Sequence, residues 1–393
     1  MNRREFLKAG LLAGLGSVAA PALNLGRFQA FADRGPAYSA RTLELIASSN
    51  VIDMLGLLTL DWQKLYSWQR DPSRFREADF RGLFNSGVSV FHPAVEPNPV
   101  DPFTVIRGWI RGWDHLLAAR PEYLVKIASA ADLDRPRKEG KIGLLIGFQN
   151  SDHFRTVEDV ALFHSLGQRV SQLTYNSRNR IGTGCKEEVD GGLSEYGAQI
   201  VSAMNQVGMA IDVSHCSERT TQDTIRLSRQ PVLITHSNCR ALSRHPRCKS
   251  DEAIRAMAAR DGVMGITVLP AFVRTGGGAS VEDILNHFDH VIRLVGVEHV
   301  GLGSDSDLDA VDPKTGRVRP RYKVRGLRND RRVFDLVEGL IRRGYSDAQI
   351  RLILGGNFQR VLGQIWQGMT PPQTAAVPPV AGRSTAPAAA GAS

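Results

Sequence analysis

Two histidines and one acidic turn stand where this chain could do chemistry. His215 closes the apolar run Met209-Ala-Ile-Asp-Val-Ser-His215, His236 closes Pro231-Val-Leu-Ile-Thr-His236, and Gly303-Ser-Asp-Ser-Asp307 closes a third. Neutral imidazoles and a carboxylate brought to one point, with a position left for water, form the donor set of a catalytic metal centre. Taken singly, a buried histidine is more often hydrogen-bonded for structure than a ligand. Asp305 or Asp307 could equally cap the segment that follows. Equivalent placement at the ends of successive strands turns the reading toward function, with Asp305 as the group that accepts and donates a proton. The combination implies a metal-assisted hydrolase.

Convergence of this kind needs a scaffold that gathers strand ends on one face. Apolar, strand-like runs recur at 51–53, 88–91, 142–146, 170–174, 209–213, 232–235, 263–268 and 300–303. Helical patterns fit between them at 103–119, 157–165, 195–207, 218–228, 251–259, 281–295 and 332–343. Eight strands alternating with helices predict an α/β protein, most simply a (β/α)8 TIM-type barrel, whose chemistry sits at the C-terminal ends of its strands. A doubly wound open sheet is the alternative.

The 393 residues, 42% of them hydrophobic, suffice for one such barrel with tails. Residues 1–32 read as a twin-arginine export signal: Asn2-Arg3-Arg4-Glu5-Phe6-Leu7-Lys8, an apolar stretch, then Ala30-Phe31-Ala32 as a cleavage site before Asp33. Residues 33–368 are expected to form the barrel, and the Pro/Ala-rich 369–393 a tail without order. The expected location is the periplasm or the extracellular space. No stretch beyond the signal reaches the roughly 18 apolar residues of a membrane span. The net charge of +9 is uneven, with nine basic residues between Lys314 and Arg332 against Asp330 alone. Only Tyr322 interrupts that block, so it lacks the stacking aromatics of a nucleic-acid surface, and nucleic acid is excluded as a partner. Lying after the last strand, the block falls over the mouth, either attracting carboxylate-bearing substrates or standing as a solvated loop. The four cysteines have no metal-binding spacing, and their pairing cannot be read. A homodimer stays open.

The chain resembles the membrane (renal) dipeptidase family of metallohydrolases from about Val51 to Leu362. The resemblance is carried by Gln172-Leu-Thr-Tyr-Asn, the segment from Met204 to His215, Val232-Leu-Ile-Thr-His-Ser-Asn238, Arg244-His-Pro-Arg247, Asp261-Gly-Val-Met-Gly-Ile266, His299 to Asp307 and Leu354-Gly-Gly-Asn-Phe358. It implies a barrel that binds two zinc ions and hydrolyses dipeptides. His215 and His236 match the histidines of one zinc, Asp305 the acid that shuttles the proton, and Arg247 the arginine that holds the substrate carboxylate.

Three departures follow from the same resemblance. Leu55 and Leu57, in Ile52-Asp-Met-Leu-Gly-Leu57, replace the His-x-Asp pair of the other zinc. Gln149 replaces the bridging glutamate, and a carboxamide is a weak zinc ligand that brings no charge. Tyr175 stands for the histidine that stabilises the tetrahedral intermediate, and its hydroxyl can still donate a hydrogen bond. The expectation is therefore one zinc on His215 and His236, completed by Asp305, Gln149 or water, acting on dipeptides or related small amides. Asp152 and His153 are further groups that could lean into the mouth. The alternative is a non-catalytic member that binds a small ligand or partner in the old pocket.

Overall fold

The computed structural model describes residues 38–367 except 97–99, 309–311, 313 and 316. The expected export signal and the tail from 369 lie outside the described residues. Ten parallel strands form the sheet: β1 (Ile52–Asp53), β2 (Val90–Phe91), β3 (Leu124–Ile127), β4 (Ile142–Leu145), β5 (Gly147–Phe148), β6 (Val170–Gln172), β7 (Ala210–Asp212), β8 (Val232–Ser237), β9 (Met264–Ile266) and β10 (Val300–Leu302). Their order is β3-β4-β2-β1-β10-β9-β8-β7-β6-β5. Only Ile146 separates β4 from β5, and β4 pairs with β2 while β5 pairs with β6. One run of chain therefore joins the two ends of the sheet, giving eight staves with β3 flanking β4 outside the ring. This is the expected barrel. The eight staves fall on the eight apolar runs, and β3 is an addition that its central Lys126, paired with Asp114, hides from an apolar-run reading.

Helices follow because the connections carry start signals. Ser194, Ser217, Ser250 and Ser280 each precede a helix and accept a hydrogen bond from its first turn. Two helices not anticipated, Trp62–Arg70 and Glu77–Asn85, fill the long β1–β2 connection. The last helix, Asn357–Gln367, packs Phe358, Val361, Leu362, Ile365 and Trp366 against Ile52, Val90, Val170, Ala210 and Val263 near the strand starts. It plugs the bottom of the barrel and leaves the opposite end open for chemistry. Among the described residues no helix is long and apolar enough to cross a membrane.

Candidate active site

The site is built on an irregularity in β8. Its register against β9 shifts between Ile234 and Ser237, a bulge that turns His236 toward the mouth. Side chains take the backbone groups there: Thr235 N donates to Asp212 Oδ1 (3.0 Å) and His236 N to Ser214 Oγ (3.0 Å). The chain packs so closely at this level that a Cβ on Gly303 would overlap the Thr235 carbonyl oxygen, which explains glycine before the acidic turn.

His215 and His236 are both buried, and their Nε2 atoms lie 3.1 Å apart. The surrounding hydrogen bonds fix both tautomers. His215 Nδ1 donates to Asn176 Oδ1 (2.9 Å). Thr235 Oγ1 spends its single proton on Asp212 Oδ2 (2.7 Å), so His236 Nδ1 must donate to Thr235 (2.8 Å). Two Nε2 lone pairs therefore face each other across a gap that suits one ion bound at about 2.0–2.1 Å from each. Burial, and after it the charge of Arg247, holds both imidazoles well below the usual histidine range, in the neutral form that ligates. Tyr175 stacks on His215 with centroids 4.2 Å apart, and burial pushes its phenol up to about 12, so it stays a donor.

Arg247 lies beneath this pair. It is 1% exposed, and it donates to Ser214 O (2.6 Å) and His236 O (2.8 Å), leaving a buried Nε without a partner. In this arrangement its guanidinium holds the two histidine-bearing segments together. Lys249 secures the His215-bearing segment, donating to Val213 O (2.7 Å), Cys216 O (2.9 Å) and Thr221 Oγ1 (3.0 Å).

Asp305 projects from the end of β10, two staves from β8. Its backbone is left-handed (φ 56°), its N donates to Leu55 O (2.8 Å), and its carboxylate accepts no hydrogen bond from another described residue. Burial pushes the carboxyl up to about 7, against the lowering pull of Arg247 and with a further push from Asp53. Among the described residues no three His, Cys, Asp or Glu side chains gather at one point. The expected completion of the histidine pair by Asp305 is thus absent, and the carboxyl stands apart as a free titrating group. Gln149 is half-buried, with Nε2 donating to Ala94 O (3.1 Å) and its carbonyl accepting from Gln172.

Across the mouth the character changes. Leu57, Leu60 and Tyr322, with Leu269 beside them, form a small apolar cluster, and Leu55 is fully buried. His153 turns away from the mouth into a cage of Phe148, Phe154 and Phe163, where it bonds Gln168. Asp152 is tied to Asn150 (2.9 Å). The second half of the basic block alternates: Tyr322, Val324, Leu327, Arg331 and Arg332 are buried, whereas Arg321, Lys323 and Arg325 are exposed, with Arg321 over the Tyr322 ring. The four cysteines are free thiols. Asn176, Asp212, Thr235, Lys249 and Arg332 escaped the sequence reading. An acid inside an apolar strand, Ile211-Asp212-Val213, was the available signal for one of them.

A closed parallel barrel with facing imidazoles at its mouth is the architecture of the metal-dependent barrel hydrolases. The chain belongs to the membrane dipeptidase family (peptidase family M19), whose model matches residues 44–374. It is 32% identical over 252 residues to the dipeptidase aclJ of Aspergillus oryzae, covering 62% of this chain and 57% of that one. It is 30% identical over 272 residues to an uncharacterized dipeptidase of Schizosaccharomyces pombe, covering 66% and 63%. The matched part thus spans about three fifths of the length of these two relatives. Among solved structures, an amidohydrolase from Pseudomonas aeruginosa superposes with a TM-score of 0.71 at 28% identity, over 83% of this chain and 99% of that one. A metallo peptidase from Rhodobacter sphaeroides, liganded with a phosphinate mimic of L-Ala-D-Ala, shares the fold (TM-score 0.66, 22% identity, 80% and 99% covered).

Proposed function

We propose that the protein is a metallohydrolase that cleaves dipeptides or related small amides, with one zinc ion held by His215 and His236. The observation that carries this reading is the pair of buried Nε2 atoms 3.1 Å apart, with each Nδ1 taken up by a hydrogen bond of its own. The donor set fits one cation, with its remaining positions left to water and substrate. When bound, the ion supplies Lewis-acid polarisation of the scissile carbonyl and of water. The Asn176 and Thr235–Asp212 contacts hold the two imidazoles in their ligating form. Asp305, titrating near neutrality, takes a proton from water and returns it to the leaving amine. Tyr175 donates a hydrogen bond to the oxyanion that develops at the carbonyl. Arg247 spends two of its five N–H groups on Ser214 O and His236 O, and a substrate carboxylate would draw on the others.

The apolar cluster at Leu57, Leu60 and Tyr322 favours a second reading, a non-catalytic member that binds a small ligand in the mouth. Metal analysis of the purified protein, with a dipeptide hydrolysis panel run with and without added zinc, separates the two. About one equivalent of zinc with turnover is expected; no bound metal and no turnover across the panel would overturn the proposal. Export by the twin-arginine route belongs to the same reading, and a mature N-terminus at Asp33 would support it.

A further inference from the structure

Asp305 needs a device to hold it, because it combines a left-handed backbone with a carboxylate that no described neighbour bonds. The turn around it is fastened from two sides by one buried ion pair. Asp53, the last residue of β1, accepts from Ser304 N (2.8 Å) and Ser304 Oγ (2.6 Å). Arg332 starts the helix after the basic block and reaches back into the barrel. It donates to Asp53 Oδ2 (2.9 Å), Ser306 O (3.4 Å), Asp307 O (3.0 Å) and Asn329 O (2.9 Å). Both partners are almost wholly buried. The residue before Asp305 is thus held by the carboxylate and the two after it by the guanidinium, and the pair itself is 279 residues apart in sequence. The neighbouring positions, Leu55 and Leu57, are buried and apolar.

We infer that Arg332 and Asp53 are positioning residues, a clamp that sets the Ser304–Asp307 turn and so aims Asp305 at the reacting atoms. This rests on the reading of Asp305 as the proton carrier. A planar, multiply donating guanidinium suits the task, because it can bridge a carboxylate and several carbonyls at once. Misplacement by about 1 Å can cost on the order of 10²-fold in rate.

The test uses full-length protein carrying Arg332→Met, Arg332→Lys or Asp53→Asn, each checked for folding. Arg332→Met is expected to lower kcat about 10²-fold with KM within about twofold, and Arg332→Lys to recover part of the loss. Amide exchange in the turn should speed up on the order of tenfold in Arg332→Met, while β7 and β8 keep their protection. Exchange that rises equally throughout the barrel would reduce the pair to a stability role and overturn the inference. An unchanged turn, or a loosened turn with kcat intact in both Arg332→Met and Asp53→Asn, would overturn it as well. Absence of turnover in the unsubstituted protein would sink the hydrolase reading and the positioning role together, whereas turnover indifferent to Arg332 sinks the positioning role alone.

Discussion

The two halves of the barrel mouth solve the same problem in opposite ways. On the β6–β8 side, Tyr175, His215 and His236 present polar atoms, and each imidazole has a second residue behind it: Asn176 for one, Thr235 and Asp212 for the other. On the β9–β10–β1 side, Leu57, Leu60 and Leu269 close on one another and on Tyr322, and Leu55 is fully buried. Burying a leucine stabilises the fold by about 1.5–3 kcal/mol, whereas an unpartnered imidazole or carboxylate in the same place costs free energy. The apolar half is therefore stable without a ligand, and the polar half keeps two lone pairs unmet. Asp305 stands on the border, its N bonded to Leu55 O and its carboxyl within reach of the field of Arg247.

The sharpest way to break the contrast is to remove one lone pair. His215→Ala or His236→Ala should abolish zinc retention and lower kcat/KM by at least about 10³-fold, the loss of several kcal/mol of Lewis-acid stabilisation. Bound zinc measured after dialysis, beside the hydrolysis assay, decides it; a variant that keeps both would show that the histidines are structural. Next in size, Asp305→Asn should lower kcat about 10²–10⁴-fold and erase the limb near pH 7 from the pH–rate profile. A limb that survives the substitution belongs to another group.

The contrast can also be reversed. Leu55→His, Leu57→Asp and Gln149→Glu together should raise bound zinc from about one equivalent toward two, since they add two strong ligands to the apolar half and a third after β5. Metal content by atomic absorption, unchanged in the triple variant, would mean that the walls there cannot admit an ion.

The barrel was legible because its signal is repetitive. Eight apolar runs with capped helices between them leave few ways to close a sheet, and only β3, interrupted by Lys126, escaped. His215, His236 and Asp305 were legible as strand-end residues, and Leu55 and Leu57 as substitutions within a family pattern. What stayed hidden is what tertiary folding alone brings together. Arg332 read as one charge in a basic surface block yet lies buried against Asp53. His153 was open to reading as a mouth residue or a solvent-facing loop residue, but Phe148, its neighbour Phe154 and Phe163 enclose it. Arg247 read as a substrate arginine, and its two terminal nitrogens hold one backbone carbonyl after β7, Ser214 O, and one in the β8 bulge, His236 O.

The smallest expected effect separates the halves by their response to pH. Asp305 has its carboxyl raised from the ordinary 3.8 to about 7 in the fold. The folded state binds that proton more tightly than the unfolded chain, so this group's contribution is full below about pH 4 and is lost as pH rises through about 7. His215 and His236 are lowered, so their contribution is full above about 6.5 and is lost as pH falls toward their folded values; His153, lowered to about 4, acts in the same direction. The two halves therefore oppose each other between about pH 4 and 6.5, and above 6.5 only the Asp305 slope remains. In metal-free protein, Asp305→Asn should gain melting temperature relative to the unsubstituted chain as pH goes from 6 to 8. Most of the destabilisation has already built up below pH 6, so the gain between pH 6 and 8 corresponds to about 1 kcal/mol. Parallel melting curves for the two proteins over that range would mean that the carboxylate is solvated at the mouth. Asp305 would then belong to neither half, and its proton would be set by bulk water.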